Sequence, residues 1–79
     1  MTNSEKYTNL FMELFNLTAD KAEKLNYQDI EAWDSVGHMT LISSLEEAFD
    51  IMMDTDDIID FDSFKKGKEL LSKNYGIEF

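Results

Sequence analysis

The sequence predicts an all-α fold, a small bundle of three longer helices plus one short helix. Pro is absent and only 3 Gly occur in the chain. Apolar side chains recur with the 3.6-residue period of amphipathic helices, and no stretch shows the alternation of a half-buried strand.

Tyr7, Leu10, Phe11, Leu14 and Phe15 fall at i, i+3, i+4, i+7 and i+8, a single apolar stripe. Thr2 with Glu5 three residues later has the form of a capping box, so the first helix is expected from about Asn3 to Phe15. From Asn16 to Asp34 the pattern loosens into a long connection carrying Leu17, Leu25, Tyr27, Ile30 and Trp33, with room for one short helical turn near Thr18 to Lys24. Long connections of this kind are often functional. A second helix is expected to begin at Ser35, capped by Asp34 or by Ser35 itself, and to end near Asp50. Its buried stripe is Leu41, Ile42, Leu45 and Phe49. Asp54-Thr55-Asp56-Asp57 supplies capping groups and favourable negative charge to a short third helix with Ile58, Ile59 and Phe61. Ser63 caps the fourth, whose inward positions are Phe64, Gly67, Leu70 and Leu71 and whose end lies at Asn74 or Gly76.

The 79 residues amount to one domain, residues 1–79, with a modest core. Without Cys there is neither a disulfide framework nor a thiolate metal site, and any thiol chemistry needs an imported thiol. No apolar run approaches the length that spans a bilayer, and the Met1-Thr2-Asn3-Ser4-Glu5-Lys6 start lacks the features of a signal peptide. A cytoplasmic monomer without membrane insertion is therefore expected. A formal charge of −10, from 17 Asp and Glu against 7 Lys, repels nucleic acid and favours partners with basic surfaces. The acidic side chains from Glu46 to Asp62 occur without an intervening Lys. Such a run is either a solvated face or a docking surface that speeds association with basic enzymes.

Most catalytic and metal constellations fail on their residues. Asp54-Thr55-Asp56 opens like a calcium loop, but Ile59 stands at the sixth position, where Gly makes the turn, and Lys65 at the twelfth, where a bidentate Glu belongs. One His and scattered carboxylates make no transition-metal site, and no phosphate-cradling Gly-rich loop is present. A hydrolytic pair is conceivable from Ser35 or Ser43 with His38, but no nucleophile elbow or oxyanion hole accompanies it. His38 reads more simply as a packed or capping residue. By itself Ser35 also reads as a helix cap.

Trp33-Asp34-Ser35-Val36-Gly37-His38-Met39, followed by Leu41-Ile42 and Leu45-Glu46-Glu47-Ala48-Phe49-Asp50, resembles the acyl carrier protein family. The resemblance runs from the Asp-Ser-aliphatic signature through the Glu-Glu-x-Phe end of the second helix and continues to Ser63, about half of the chain. It implies an acyl-carrier-like bundle that performs no bond-making itself. A phosphopantetheine arm, taken from coenzyme A by a phosphopantetheinyl transferase, would be attached at Ser35. Asp34 would assist attachment by helping to bind magnesium. The arm would carry an acyl or aminoacyl group as a thioester and present it to acyl-activating, acyltransferase or synthase enzymes with basic docking surfaces. A helix N-terminus suits a phosphodiester, because its first N–H groups lack intrahelical partners and the helix dipole is positive there.

The resemblance further assigns Val36, Met39, Thr40, Ser43, Glu46 and Glu47 to the partner-binding face, Val36 and Met39 being readable also as surface-edge packing. Leu41, Ile42, Leu45, Phe49, Ile58 and Ile59 would line the core, which in fatty-acid carriers opens to shelter the chain. Simple core packing is the alternative for these six. Gly37, Thr40 and Ser43 depart from the fatty-acid pattern, which has acidic residues at the first two positions and Met or a similar apolar residue at the third. The Trp-Asp-Ser-Val-Gly-His form looks like discrete carriers of specialised pathways. Gly37 costs up to about 1 kcal/mol relative to Ala in a helix, so it either permits close approach of an enzyme or of the arm, or reflects relaxed constraint. A different class of function is an unmodified acidic helical adaptor that binds a basic partner directly.

Overall fold

The chain is described over residues 1–79 by a computed structural model. Five helices follow one another: α1 (Asn3–Phe15), α2 (Ala19–Glu23), α3 (Ser35–Phe49), α4 (Thr55–Asp60) and α5 (Phe64–Tyr75). The expected all-α bundle is present, with α1, α3 and α5 as its longer members. α4 is the short helix, and α2 occupies the stretch where a helical turn was expected.

Each long helix starts on a side-chain cap. Thr2 and Glu5 form a reciprocal capping box on α1, and the hydrogen bonds that Glu5 receives from Thr2 hold its carboxyl below the usual carboxylate range. Ser63 accepts the Lys66 N–H at the start of α5. At the far ends Asn16, Asp50 and Gly76 are left-handed, which lets the chain turn away while the cap N–H groups satisfy helix carbonyls. Lys6 reaches the last turn of α3, where its ammonium donates to the Ala48 carbonyl and lies over the Phe49 ring.

Fifteen buried side chains form one core, to which α1 contributes Tyr7, Phe11 and Phe15, α3 contributes Leu41, Ile42 and Leu45, and α5 contributes Phe64, Leu70 and Leu71. Aromatic rings dominate its centre. Tyr7 lies 4.7 Å from Phe64, Phe11 lies 5.0 Å from Phe64, and both Phe11 and Phe15 lie 5.5 Å from Trp33, centroid to centroid. Burial raises the Tyr7 hydroxyl well above its ordinary pKa, and that hydroxyl donates to the Phe64 carbonyl at 2.6 Å.

The long connection is held down by backbone bonds to the start of α5. Tyr27 N–H donates to Asp62 C=O at 2.8 Å and Phe64 N–H donates to Leu25 C=O at 3.0 Å, around an isolated Asn26–Ser63 bridge. α4 differs from the other helices in burying no residue. Of its two expected core residues, Ile58 is half-buried, whereas Ile59 is 71% exposed. α4 lies on the surface and meets the core through Ile58, so Ile59, about 100° further round the helix, faces outward. Met53 and Ile77, on the connections after α3 and α5, supply core contacts from outside the helical stripes.

Candidate functional site

Asp34, and not Ser35, caps α3. Its backbone is extended, and its carboxylate Oδ1 accepts the Gly37 N–H at 2.8 Å. Asp34 Oδ2 makes no hydrogen bond within the chain. Ser35 is the first helical residue, so its side chain is released from capping duty and is exposed to solvent. The one hydrogen-bond partner of its hydroxyl is that of Tyr27, 3.4 Å away, too far for a strong O–H···O bond.

The turn that delivers Asp34 and Ser35 is tight. A Cβ at Gly37 would overlap the carbonyl oxygen of Ala32, so only glycine lets the connection fold back so closely over the first turn of α3. The close approach at Gly37 is therefore intramolecular.

Beside Ser35 lies a surface groove of about 310 Å³ between α3 and α4, lined by Tyr27, His38, Met39, Ile58, Ile59, Phe61 and Asp62 as well as Ser35. Its walls are mainly apolar, with Met39 and Ile59 51% and 71% exposed. Phe61 is almost fully buried, and its ring presses so closely on α5 that a Cβ at Gly67 would fall inside it.

His38 ties the groove together. Trp33 Nε1 donates to His38 Nδ1 at 2.9 Å, and His38 Nε2 lies 2.8 Å from the Ile58 carbonyl. An indole N–H only donates, so Nδ1 carries the lone pair and Nε2 carries the hydrogen that goes to Ile58. That carbonyl lies in the last turn of α4, where backbone acceptors lack intrahelical partners. His38 is thus packed and capping, as one sequence reading expects, and neither ring nitrogen is available to Ser35 as a base. The other side of α4 is pinned to α5, where Tyr75 OH and Asn74 Nδ2 donate to Asp57 at 2.6 and 3.0 Å. Burial first, and the Asp57 contact next, raise the Tyr75 hydroxyl above its ordinary pKa.

On the expected partner face, Val36, Met39, Thr40, Ser43 and Glu47 are exposed along one side of α3. Thr40 Oγ1 donates to the Val36 carbonyl. Glu46 is half-buried, and its carboxylate accepts the Met53 N–H at 2.8 Å, so it orders the chain after α3. The sequence reading leaves Tyr27 and Asp62 out of the site and puts Ile59 in the core. The available signal for Tyr27 is an aromatic residue standing in a polar connection. Asp62 carries no signal, because its place depends on the bridge to the start of α5.

Comparison with known proteins finds no matching family model, no matching curated protein and no matching solved structure.

Proposed function

We propose that this chain is an acyl-carrier-type protein, modified with phosphopantetheine at Ser35. The observation that supports this best is the division of labour between neighbours. Asp34 performs the capping, which leaves the Ser35 hydroxyl exposed at a helix N-terminus beside an apolar groove. A serine that only capped the helix would have its oxygen turned onto the backbone.

The residues present fit the arm. The Ser35 and Val36 N–H groups have no intrahelical acceptor at the start of α3, which favours an anionic phosphodiester on Ser35. When attached, the arm supplies a terminal thiol that holds an acyl or aminoacyl group as a thioester. Asp34 holds the first turn of α3 through Oδ1 and keeps Oδ2 for magnesium during attachment by the transferase. The bonds of Trp33 and His38 keep the α3 end of the groove in place. Val36, Met39, Thr40, Ser43 and Glu47 form the recognition face for acyl-activating, acyltransferase or synthase enzymes with basic docking surfaces, and the protein itself performs no bond-making. Tethering gives those enzymes a high local concentration of cargo.

The test is incubation with coenzyme A and a broad-specificity phosphopantetheinyl transferase, followed by intact mass. The expected result is the gain of one phosphopantetheine by the native chain and none by Ser35→Ala. Absence of the gain, or its persistence in Ser35→Ala, sinks the assignment and leaves the unmodified acidic adaptor as the better reading.

A further inference from the structure

We infer that the group carried at Ser35 stays outside the helical core, resting at most in the α3–α4 groove, and that the carrier suits a short acyl group. This rests on the carrier reading above and concerns what that site holds.

The groove has a fixed floor. His38 and Phe61 lie between it and the core, and each is held from more than one side. His38 bonds to Trp33 and to the Ile58 carbonyl, so parting α4 from α3 would leave a buried indole N–H and a helix-end carbonyl without partners. Phe61 is wedged against Gly67 and meets Trp33 and His38 edge to face, with centroids 6.5 and 5.9 Å away. α4 does not swing freely, because Tyr75 and Asn74 hold Asp57 on its other side.

Behind this floor aromatic rings meet the aliphatic side chains that α3 and α5 contribute, Leu41, Ile42, Leu45, Leu70 and Leu71. Tyr7, Phe11, Phe15, Trp33 and Phe64 interlock, and none of the four surface depressions of the protein includes any of them. Planar rings cannot yield a linear channel by small rotamer shifts as aliphatic chains can. Admitting a long chain would mean displacing whole rings in a close-packed interior and breaking the Trp33–His38 bond. A short group needs none of this, because the groove, lined by Tyr27, Met39 and Ile59, lies directly beside Ser35.

Shielding of the thioester reads this out. Acetyl and octanoyl arms are loaded onto the full chain from the corresponding acyl-coenzyme A, and each hydroxylamine cleavage rate is divided by that of the same acyl-pantetheine free in solution. The two ratios are expected to agree within threefold. Octanoyl protection of threefold or more relative to acetyl overturns the inference. Phe61→Ala, or Phe61→Leu where the alanine variant does not fold, removes the floor and is expected to slow octanoyl cleavage at least threefold with acetyl unchanged. A folded variant without that slowing overturns the assignment of Phe61 as the barrier. Intact mass separates the two levels of the argument. No loading at Ser35 removes the carrier reading and the cargo inference together, whereas loading with octanoyl protection removes the cargo inference alone.

Discussion

Trp33 and His38 are joined by a 2.9 Å hydrogen bond from the indole nitrogen to imidazole Nδ1, and their rings stack at 6.0 Å with 21° between the planes. Trp33 belongs to the connection before α3 and His38 to the first turns of α3, so one contact fixes how the connection delivers Asp34 and Ser35. Because Nε2 continues to Ile58, the same ring also positions α4. His38→Ala should cost about 1–3 kcal/mol, the penalty for leaving buried polar groups without partners. In a domain of this size each kcal/mol lowers Tm by roughly 4–8 °C, measurable by thermal denaturation. Cross-peaks of Ile58 and Ile59 should move in the NMR spectrum of the variant, since α4 loses its hold on α3.

Substitutions can separate the cap that Asp34 forms from the role in attachment proposed for it. Asp34→Ala removes the cap and should destabilise by about 1 kcal/mol. Asp34→Asn keeps an oxygen for the Gly37 N–H, so its Tm should stay near that of the native chain. If Oδ2 serves magnesium during attachment, Asp34→Asn should nevertheless slow modification of Ser35, measured as the rate of mass gain. Equal rates for Asp34→Asn and the native chain would leave Asp34 as a cap only.

Ser35→Ala should abolish mass gain with little change in Tm. Its hydroxyl neither caps α3 nor makes a short hydrogen bond, and Ala suits the first turn of a helix. A loss of more than about 1 kcal/mol would show that Ser35 is doing the work of a cap.

Gly37→Ala sets helix propensity against packing. Propensity alone makes Ala the more stable residue by about 1 kcal/mol. The overlap of a new Cβ with the Ala32 carbonyl forces the connection to move, and overpacking of this kind costs about 1–3 kcal/mol. Packing should win, so the variant should melt lower, and a rise in Tm would refute the close approach.

Tyr7 predicts alkaline sensitivity. Burial raises its folded pKa above the ordinary value of 10.0, so the folded state keeps the proton more tightly than the unfolded chain does. This contribution is fully present below the unfolded value and is lost as pH rises from about 10 toward the folded value. Tyr7→Phe forfeits the bond to Phe64 C=O, about 1 kcal/mol at neutral pH. Its stability should then fall less steeply above pH ~10 than that of the native chain, as followed by denaturant unfolding against pH.

By itself the sequence determined the helical periodicity, the caps at Thr2 and Ser63, and the placing of Ser35 at the start of a helix. These depend on local geometry, in which side chains three and four residues apart share a face and short polar side chains satisfy the first N–H groups. It left open which of Asp34 and Ser35 caps α3, why residue 37 is glycine, and what His38 touches. Only the tertiary structure decided these, because each answer depends on how a segment packs in three dimensions: the connection folds Ala32 back onto Gly37, and α4 brings Ile58 up to His38. It also turned Ile59 outward into the groove wall, since α4 lies on the surface and Ile58 takes its inward side. Ser35 itself needed both levels. Local sequence put it at the helix start, and the carboxylate of Asp34, by taking the cap, left its hydroxyl open to solvent.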